Sequence, residues 1–414
     1  MLKKIVINFL LFSIFSTNLT VQAKNEKALN LGDLIKLTLE NNQKIKLEKE
    51  KLKLIEADFY NASVIPNPSF MFEGGYQQMS YKLGFQNNIE LGDKRNLRIS
   101  EVDSKKTLYE GQLELLKQDI LYELKKTYYH IYYIQSKIKK YDELIEINNK
   151  LLSIAEKKEI AGDIPKLDVI QVKLLLLNLK NEKEKNQEEL ELYLINLENI
   201  SGNKIDIQNI IIKAPEKIDT CLNKTNQSKT QMIESLTKKA IVNRYETKDF
   251  SNKKINFELQ RKLAIANALP NLNVYYGLDV FKDNTMKTGL FTNVGMEIPV
   301  FDFKKGAIKE AEARIEINSA EKTFFEKNLA NEITKAYQKY LSSISFKQNY
   351  ENSILPLTKE MVQKSQLSFS LGKSSIFSAL NAQQALVNQQ LNYLQILSDY
   401  YNSIIDLEKL TKCI

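Results

Sequence analysis

Four segments in which apolar and polar residues alternate, set as two pairs roughly 200 residues apart, limit what this chain can fold into more than any other feature. Alternation with period two marks a strand with two unlike faces. In the first pair Phe70, Phe72 and Tyr76, then Tyr81, Leu83, Phe85, Ile89 and Leu91, alternate with polar or small residues. In the second pair Leu272, Val274, Tyr276, Leu278 and Val280 share a face, and so, after a polar turn at Lys282-Asp283-Asn284, do Leu290, Val294, Met296, Ile298 and Val300. The opposite faces carry Asn273, Asp279, Asn293, Gly295 and Glu297. Strands are expected at about 68–79, 81–92, 271–281 and 288–301, each near the roughly 9–11 residues that cross a bilayer when tilted. Two half-buried hairpins of a soluble domain would also alternate. The rest of the chain, however, reads as helix too extended to cover a sheet, so the apolar faces call for lipid. Four strands cannot close a barrel, and hydrocarbon tolerates no open edge. Several chains must pool their strands, and two chains giving eight or three giving twelve both satisfy that rule.

The duplication extends beyond the strands, and internal repeats decide architecture. Ala62-Ser63-Val64-Ile65-Pro66-Asn67 recurs as Asn267-Ala268-Leu269-Pro270-Asn271, and Ala161-Gly162 with Leu167 to Ile170 recurs as Leu371-Gly372 with Phe377 to Leu380. Each half runs helix, Pro-marked junction, two strands, very long helix, Gly turn, long helix. The expected division is a leader at 1–23, a first repeat at 24–202, a joining segment at 203–230 and a second repeat at 231–414. The fold class is therefore mainly α with a membrane β part.

The stretches from about 96 to 160 and from about 304 to 371 hold Pro356 as their only interior proline. Leu113, Leu116, Ile120, Leu124, Tyr128, Ile131, Ile138, Tyr141 and Ile145 form an apolar stripe at spacings of three and four. At 1.5 Å per residue such a helix reaches about 95 Å, too long for a compact domain, so its stripe must pack along neighbours in coiled-coil fashion. Pro356 removes a backbone donor and should kink its helix. Gly162 and Gly372 suit left-handed C-caps. Asp163 is placed to cap the returning helix with Pro165 in its first turn, and Ser374 or Ser375 does so in the second repeat. Two helical hairpins result, with tips near 162 and 372.

Lys3 and Lys4, the apolar run Ile5 to Phe15 and the small-residue site Val21-Gln22-Ala23 read as a signal peptide cut after Ala23. No Cys lies near the cut, so lipidation is not expected. No later stretch is apolar enough for a membrane helix. The formal net charge of +8 includes Lys3 and Lys4 and is spread along the chain, giving no nucleic-acid patch. In an exported chain Cys221 and Cys413 can pair, and two unpaired thiols are equally compatible with their spacing. If the repeats fold around a belt, the joining segment and the C-terminus meet at mid-height, which would favour the bridge. The single His, His130, has no cluster of Cys, His or Met at ligand spacing around it, and reads as a packed or solvated helix residue. No Gly-rich phosphate loop or nucleophile elbow is present, so no catalytic residue, cofactor or metal site is expected.

With these residues in view, the chain resembles the TolC family of outer-membrane efflux ducts over essentially its whole mature length. The resemblance rests on the junctions Pro66-Asn67 and Pro270-Asn271, the strand exits Ile89-Glu90-Leu91-Gly92-Asp93-Lys94-Arg95 and Ile298-Pro299-Val300-Phe301-Asp302, and the tips at Gly162 and Gly372. It implies a homotrimer in outer-membrane lipid with a twelve-stranded barrel and a helical periplasmic tunnel. It also implies tips that dock a periplasmic adaptor linked to an inner-membrane pump such as an RND transporter. The exit Glu90-Leu91-Gly92-Asp93-Lys94-Arg95 looks most like the branch serving heavy-metal cation pumps. General drug and protein-secretion ducts of the same family are the alternatives, and a periplasmic coiled-coil structural protein is the alternative of another class. Family members often carry carboxylates after the tip Gly that ring the mouth. Asp168 matches that position in the first repeat, where an exposed helix-side carboxylate is the equally compatible alternative. The matching second-repeat positions are Ser378 and Asn381, and Ser374 stands where some members place a gating Arg.

Overall fold

The computed structural model describes residues 27–75, 80–204, 210–212, 228–283 and 285–412. The leader, Tyr76, Asn284, Cys221, Cys413 and most of the joining segment lie outside them. The first half comprises β1 (Lys27–Leu29), α1 (Leu31–Asn41), α2 (Gln43–Ser63), β2 (Ser69–Gly75), β3 (Ser80–Ile89), α3 (Lys94–Ile160) and α4 (Lys166–Ser201). After β4 (Ile210–Ile212) follow α5 (Lys229–Asn243), α6 (Tyr245–Asn267), β5 (Leu272–Asp283), β6 (Thr285–Met296), α7 (Lys305–Asn349), a π turn at Tyr350–Ile354, α8 (Leu355–Ser370) and α9 (Ile376–Thr411). The order of two helices, two strands and two long helical arms thus occurs twice.

α3, with 67 residues, is about 100 Å long. It packs against α2, α4, α6 and α9, while α6 and α9 also pack against α7, and α9 against α8. The helices form one layer with α2 and α4 at one border and α7 and α8 at the other. Two columns of this layer are built from helices meeting end to end. Where α4 meets α2, the N-cap Asn42 donates from Nδ2 to the Ile200 carbonyl at 2.7 Å and accepts the Ile45 amide at 3.1 Å. One side-chain amide thereby serves an orphan carbonyl of one helix and an orphan N–H of the next. Gly202 ends α4 at φ 68°, and a Cβ there would collide with the Asn41 carbonyl. In the second half Arg244, paired with Glu246, reaches the Leu410 carbonyl at 3.5 Å, and Lys412 takes the left-handed cap at φ 52°.

Apolar cores lie at mid-height. Leu34 and Ile45 pack with Ile120, Leu124, Ile131 and Leu197 in the first half, and Met232 and Leu236 with Leu329, Ile333 and Ile404 in the second. β1 and β4 pair in parallel, and the Ile212 amide donates to Gln135 Oε1 at 3.1 Å, which ties the joining segment to α3. Pro356 sits at the start of α8, directly after the π turn, in which the Leu355 amide reaches back five residues to the Tyr350 carbonyl. The interruption expected at Pro356 therefore takes the form of a widened turn. No described helix is long and apolar enough to cross a membrane.

The four strands form one antiparallel sheet in the order β2-β3-β5-β6, which leaves β2 and β6 as edges. The register aligns Phe70, Phe85 and Tyr276 in one row, and Phe72, Leu83, Leu278 and Leu290 in another, on one face. These side chains are exposed, with Phe70 packed edge-on against Phe85 at 5.7 Å. The other face carries Gln86, Asp279, Asn273 and Asn293, with Ser80 Oγ donating to Asp279 Oδ1 at 2.9 Å. Gly84 and Gly277 face each other where the two halves join, and a Cβ on either would run into the opposite backbone. Strand ends differ from the expectation: β3 stops at Ile89 and leaves Leu91 outside it, β5 runs on to Asp283, and β6 differs at both ends. β6 stops at Met296, because Pro299 lacks an N–H and the Val300 amide turns back to the Ile298 carbonyl at 2.9 Å, so Ile298 and Val300 leave the ladder while keeping its alternation. β6 begins at Thr285, and the ladder continues through Lys282 and Asp283; Met286 is the one apolar residue among Lys282, Asp283, Thr285, Lys287 and Thr288, so little hydrophobic contrast marks the pairing.

Candidate functional site at the helical tips

Both hairpin tips close in the same way. The Asp163 amide bonds to the Lys158 carbonyl at 2.9 Å and the Gly162 amide to Glu159 at 2.9 Å; Lys373 and Gly372 repeat this on Ser368 and Phe369 at 2.9 and 3.0 Å. With Gly162 at φ 82° and Gly372 at φ 69°, each tip is a Schellman cap. The returning helices start differently. Pro165, not Asp163, occupies the N-cap of α4 and makes no side-chain cap bond: Asp163 is used up as the second residue of the preceding cap and lies two residues too early. In the second tip Ser375 caps α9 by accepting the Ser378 amide at 3.3 Å.

Asp168 stands half-buried in the first turn of α4, where a carboxylate is favoured by the helix dipole. Ser374, Ser378 and Asn381 line a groove of about 610 Å³ between α8 and α9 together with Met361, Lys364 and Phe377. Lys364 is paired with Glu360 at 2.6 Å. Ser374 Oγ is buried without a partner. The second tip thus presents hydroxyls and an amide, and Asp168 belongs to the other hairpin. Ala155, Val169, Val172, Ile376 and Leu380 form an apolar cluster that fastens the two tips together, and the Lys158 ammonium lies 4.4 Å from the Phe369 ring centre.

The exit from β3, the stretch that pointed to the heavy-metal branch, has partners for its charges. Arg98 holds Glu90 in a two-point pair at 2.5 and 2.8 Å, which keeps the Glu90 carboxyl below its ordinary range. Lys94, only 5% exposed, donates to the Leu269 carbonyl at 2.8 Å and to Asn271 Oδ1 at 2.5 Å, and burial pushes its pKa down. Gly92, at φ 77°, lies so near Leu269 that a Cβ would sit 2.6 Å from its Cδ1. This stretch therefore stitches the first repeat to the second. Arg98 was not singled out from the sequence, and although Lys94 and Asn271 were named in the strand exit and the junction, their bond was not foreseen, since nothing local signals a partnership across 175 residues or more.

His130 packs against the Tyr193 ring at 4.1 Å between centres, with Nε2 3.1 Å from Glu189 Oε1. Among the described residues no group of three or more His, Cys, Asp or Glu is placed to hold a metal ion.

No protein-family model matches the chain. A curated relative, the cobalt-zinc-cadmium resistance protein CzcC of Cupriavidus metallidurans, is 20% identical over 394 residues, 92% of this chain and 90% of the relative. Among solved structures, the chain superposes on CusC, described as forming a transmembrane channel, with a TM-score of 0.75 at 13% identity, covering 92% of this chain and 91% of CusC. It superposes on the outer-membrane channel OprN with a TM-score of 0.74 at 14% identity, covering 93% and 90%. For the Campylobacter jejuni CmeC outer membrane channel the TM-score is 0.73 at 17% identity, covering 92% and 85%. The chain has, over nearly its whole length, the fold of the TolC-like outer-membrane channels.

Proposed function

We propose that this chain is the outer-membrane channel subunit of a tripartite efflux system, a passive conduit for substrates delivered by an inner-membrane pump through a periplasmic adaptor. One observation carries the reading: a sheet with an apolar face and two unpaired edges is joined directly to helices about 100 Å long. Lipid suits the face, further copies suit the edges, and a helical layer of that length suits a passage across a periplasm. The borders of the layer also await partners. Leu167, Ile170, Leu174 and Leu177 form an exposed stripe on α4, and Phe324, Phe346, Leu357 and Met361 are exposed on α7 and α8. The likeness to the channels supports three copies, giving twelve strands. The name of the cobalt-zinc-cadmium relative supports heavy-metal cations as cargo; the protein contributes passage, while selection falls to the pump. A coiled-coil stalk is disfavoured because it needs no such sheet.

At the mouth, three copies of Asp168, one per protomer, would supply the fixed negative charge, since Ser378 and Asn381 hold the matching places in the second repeat. Converging carboxylates favour cations. In planar lipid bilayers the purified protein is expected to open discrete channels whose cation preference falls in Asp168→Asn. An unchanged preference would return Asp168 to the role of a helix-dipole carboxylate, and absence of channels would count against the duct.

A further inference from the structure

The seam between the two repeats inside one chain has an unfilled counterpart at the chain's borders, and we infer that Lys305 of one copy docks on the Ile65-Pro66-Asn67 turn of the next. The inference rests on the reading that several copies pool their strands in one barrel.

Within the chain, the exit from β3 lies beside the lead-in to β5, and the Lys94 ammonium closes the seam on the Leu269 carbonyl and Asn271 Oδ1. The exit from β6 restarts its helix in the same way. Lys304 takes the left-handed conformation at φ 55° as Asp93 does at φ 61°, and the first helical bonds, Leu97 amide to Asp93 and Ile308 amide to Lys304, are both 3.0 Å. Lys305 therefore occupies the place of Lys94, and Ile65-Pro66-Asn67 that of Leu269-Pro270-Asn271. Yet Lys305 and Asn67 are exposed in the single chain, and Ile65 is 66% exposed.

Strand closure brings these two features together. β6 and β2 are the open edges and run in opposite directions through the sheet. When β6 of one copy pairs antiparallel with β2 of the next, the end of β6 at Met296 lies beside the start of β2 at Ser69. The loop leading to Lys305 then meets the turn that precedes β2. That loop also carries Phe301, 99% exposed, and Phe303, the kind of exposed apolar surface that marks an interaction site. Phe303 holds the place of Gly92, so the seam between copies cannot repeat the close approach of Gly92 to Leu269. The Phe303 ring lies instead alongside Ile65, and the lysine makes the same two charge-assisted bonds to a carbonyl and an amide oxygen.

The test uses the full chain with Cys221→Ser and Cys413→Ser, carrying Lys305→Cys and Asn67→Cys, treated in membranes with a short bis-maleimide. Covalent dimers and trimers are expected on a denaturing gel, whereas the matched pair Lys94→Cys with Asn271→Cys should link within one chain and leave monomers. In parallel, Lys305→Met should lower the temperature at which the detergent-solubilised oligomer dissociates. Two results would overturn the contact while leaving the barrel reading intact, with lipid covering Phe301: monomers alone from the first pair when light scattering finds an oligomer, or a dissociation temperature unchanged in Lys305→Met. If the unsubstituted chain is monomeric by light scattering, the contact and the barrel reading fall together.

Discussion

Gly202 carries more of the helical layer than its size suggests. It ends α4 in the left-handed region, and its missing Cβ leaves room for the Asn41 carbonyl at the point where α2 takes over the column. Gly202→Ala adds both a strained conformation and a clash, and should cost about 1–3 kcal/mol, read as a lower midpoint in thermal unfolding followed by helical circular dichroism. Gly162→Ala meets strain alone, since its surroundings are open, and should cost less. The tip glycines were legible in the sequence because a Schellman cap is local: Gly, the end of a stripe and a following helix start all lie within a few residues. Gly202, Asn42 and Lys94 were not, because their reasons lie 158 or more residues away for Asn42 and Lys94, and on a neighbouring helix end for Gly202. Asp163 was misjudged as a cap for a related cause: an Asp after Gly scores well by residue type, but the preceding cap had already committed its amide.

Among the elements, the sheet joins two hairpins from distant parts of the sequence, and β3 meets β5 at opposed glycines. Gly277→Val would place two methyl groups against the Leu83 carbonyl and the Gly84 backbone. We expect it to prevent a stable barrel: the protein should lose the slow-migrating, heat-modifiable form on gels while retaining most of its helical signal, and retention of that form would show that the seam tolerates a side chain. The strand faces were readable from alternation, since the lipid-suited and polar faces differ sharply over the ladder from Leu272 to Val280. The ends were not. Ile298 and Val300 keep the period after a proline has taken the backbone out of the ladder, and in the hairpin around Asp283 and Thr285 Met286 alone sets an apolar residue among polar ones. The π turn before Pro356 belongs to the same class, since a proline announces a disturbance in a helix but not how the surrounding turn absorbs it.

At the scale of the whole molecule, duplication sets the architecture. Each half supplies two strands and two long arms, and columns of helices meeting end to end match the unbroken α3 in span. The chain is complete enough to form cores at mid-height and at the tips, and incomplete at both edges of its sheet and both borders of its helical layer. That incompleteness follows from strand count and the exposed stripes, and it is what supports the proposed pooled assembly in lipid. The proposed copy number, cargo and pump rest on partners the sequence does not contain. Fractionation of cells expressing the full chain, with gels run before and after heating, tests the central claim most directly. A subunit of an outer-membrane duct should be recovered with the outer membrane as an oligomer that collapses to monomer on heating; a soluble monomer in the periplasmic fraction would contradict it.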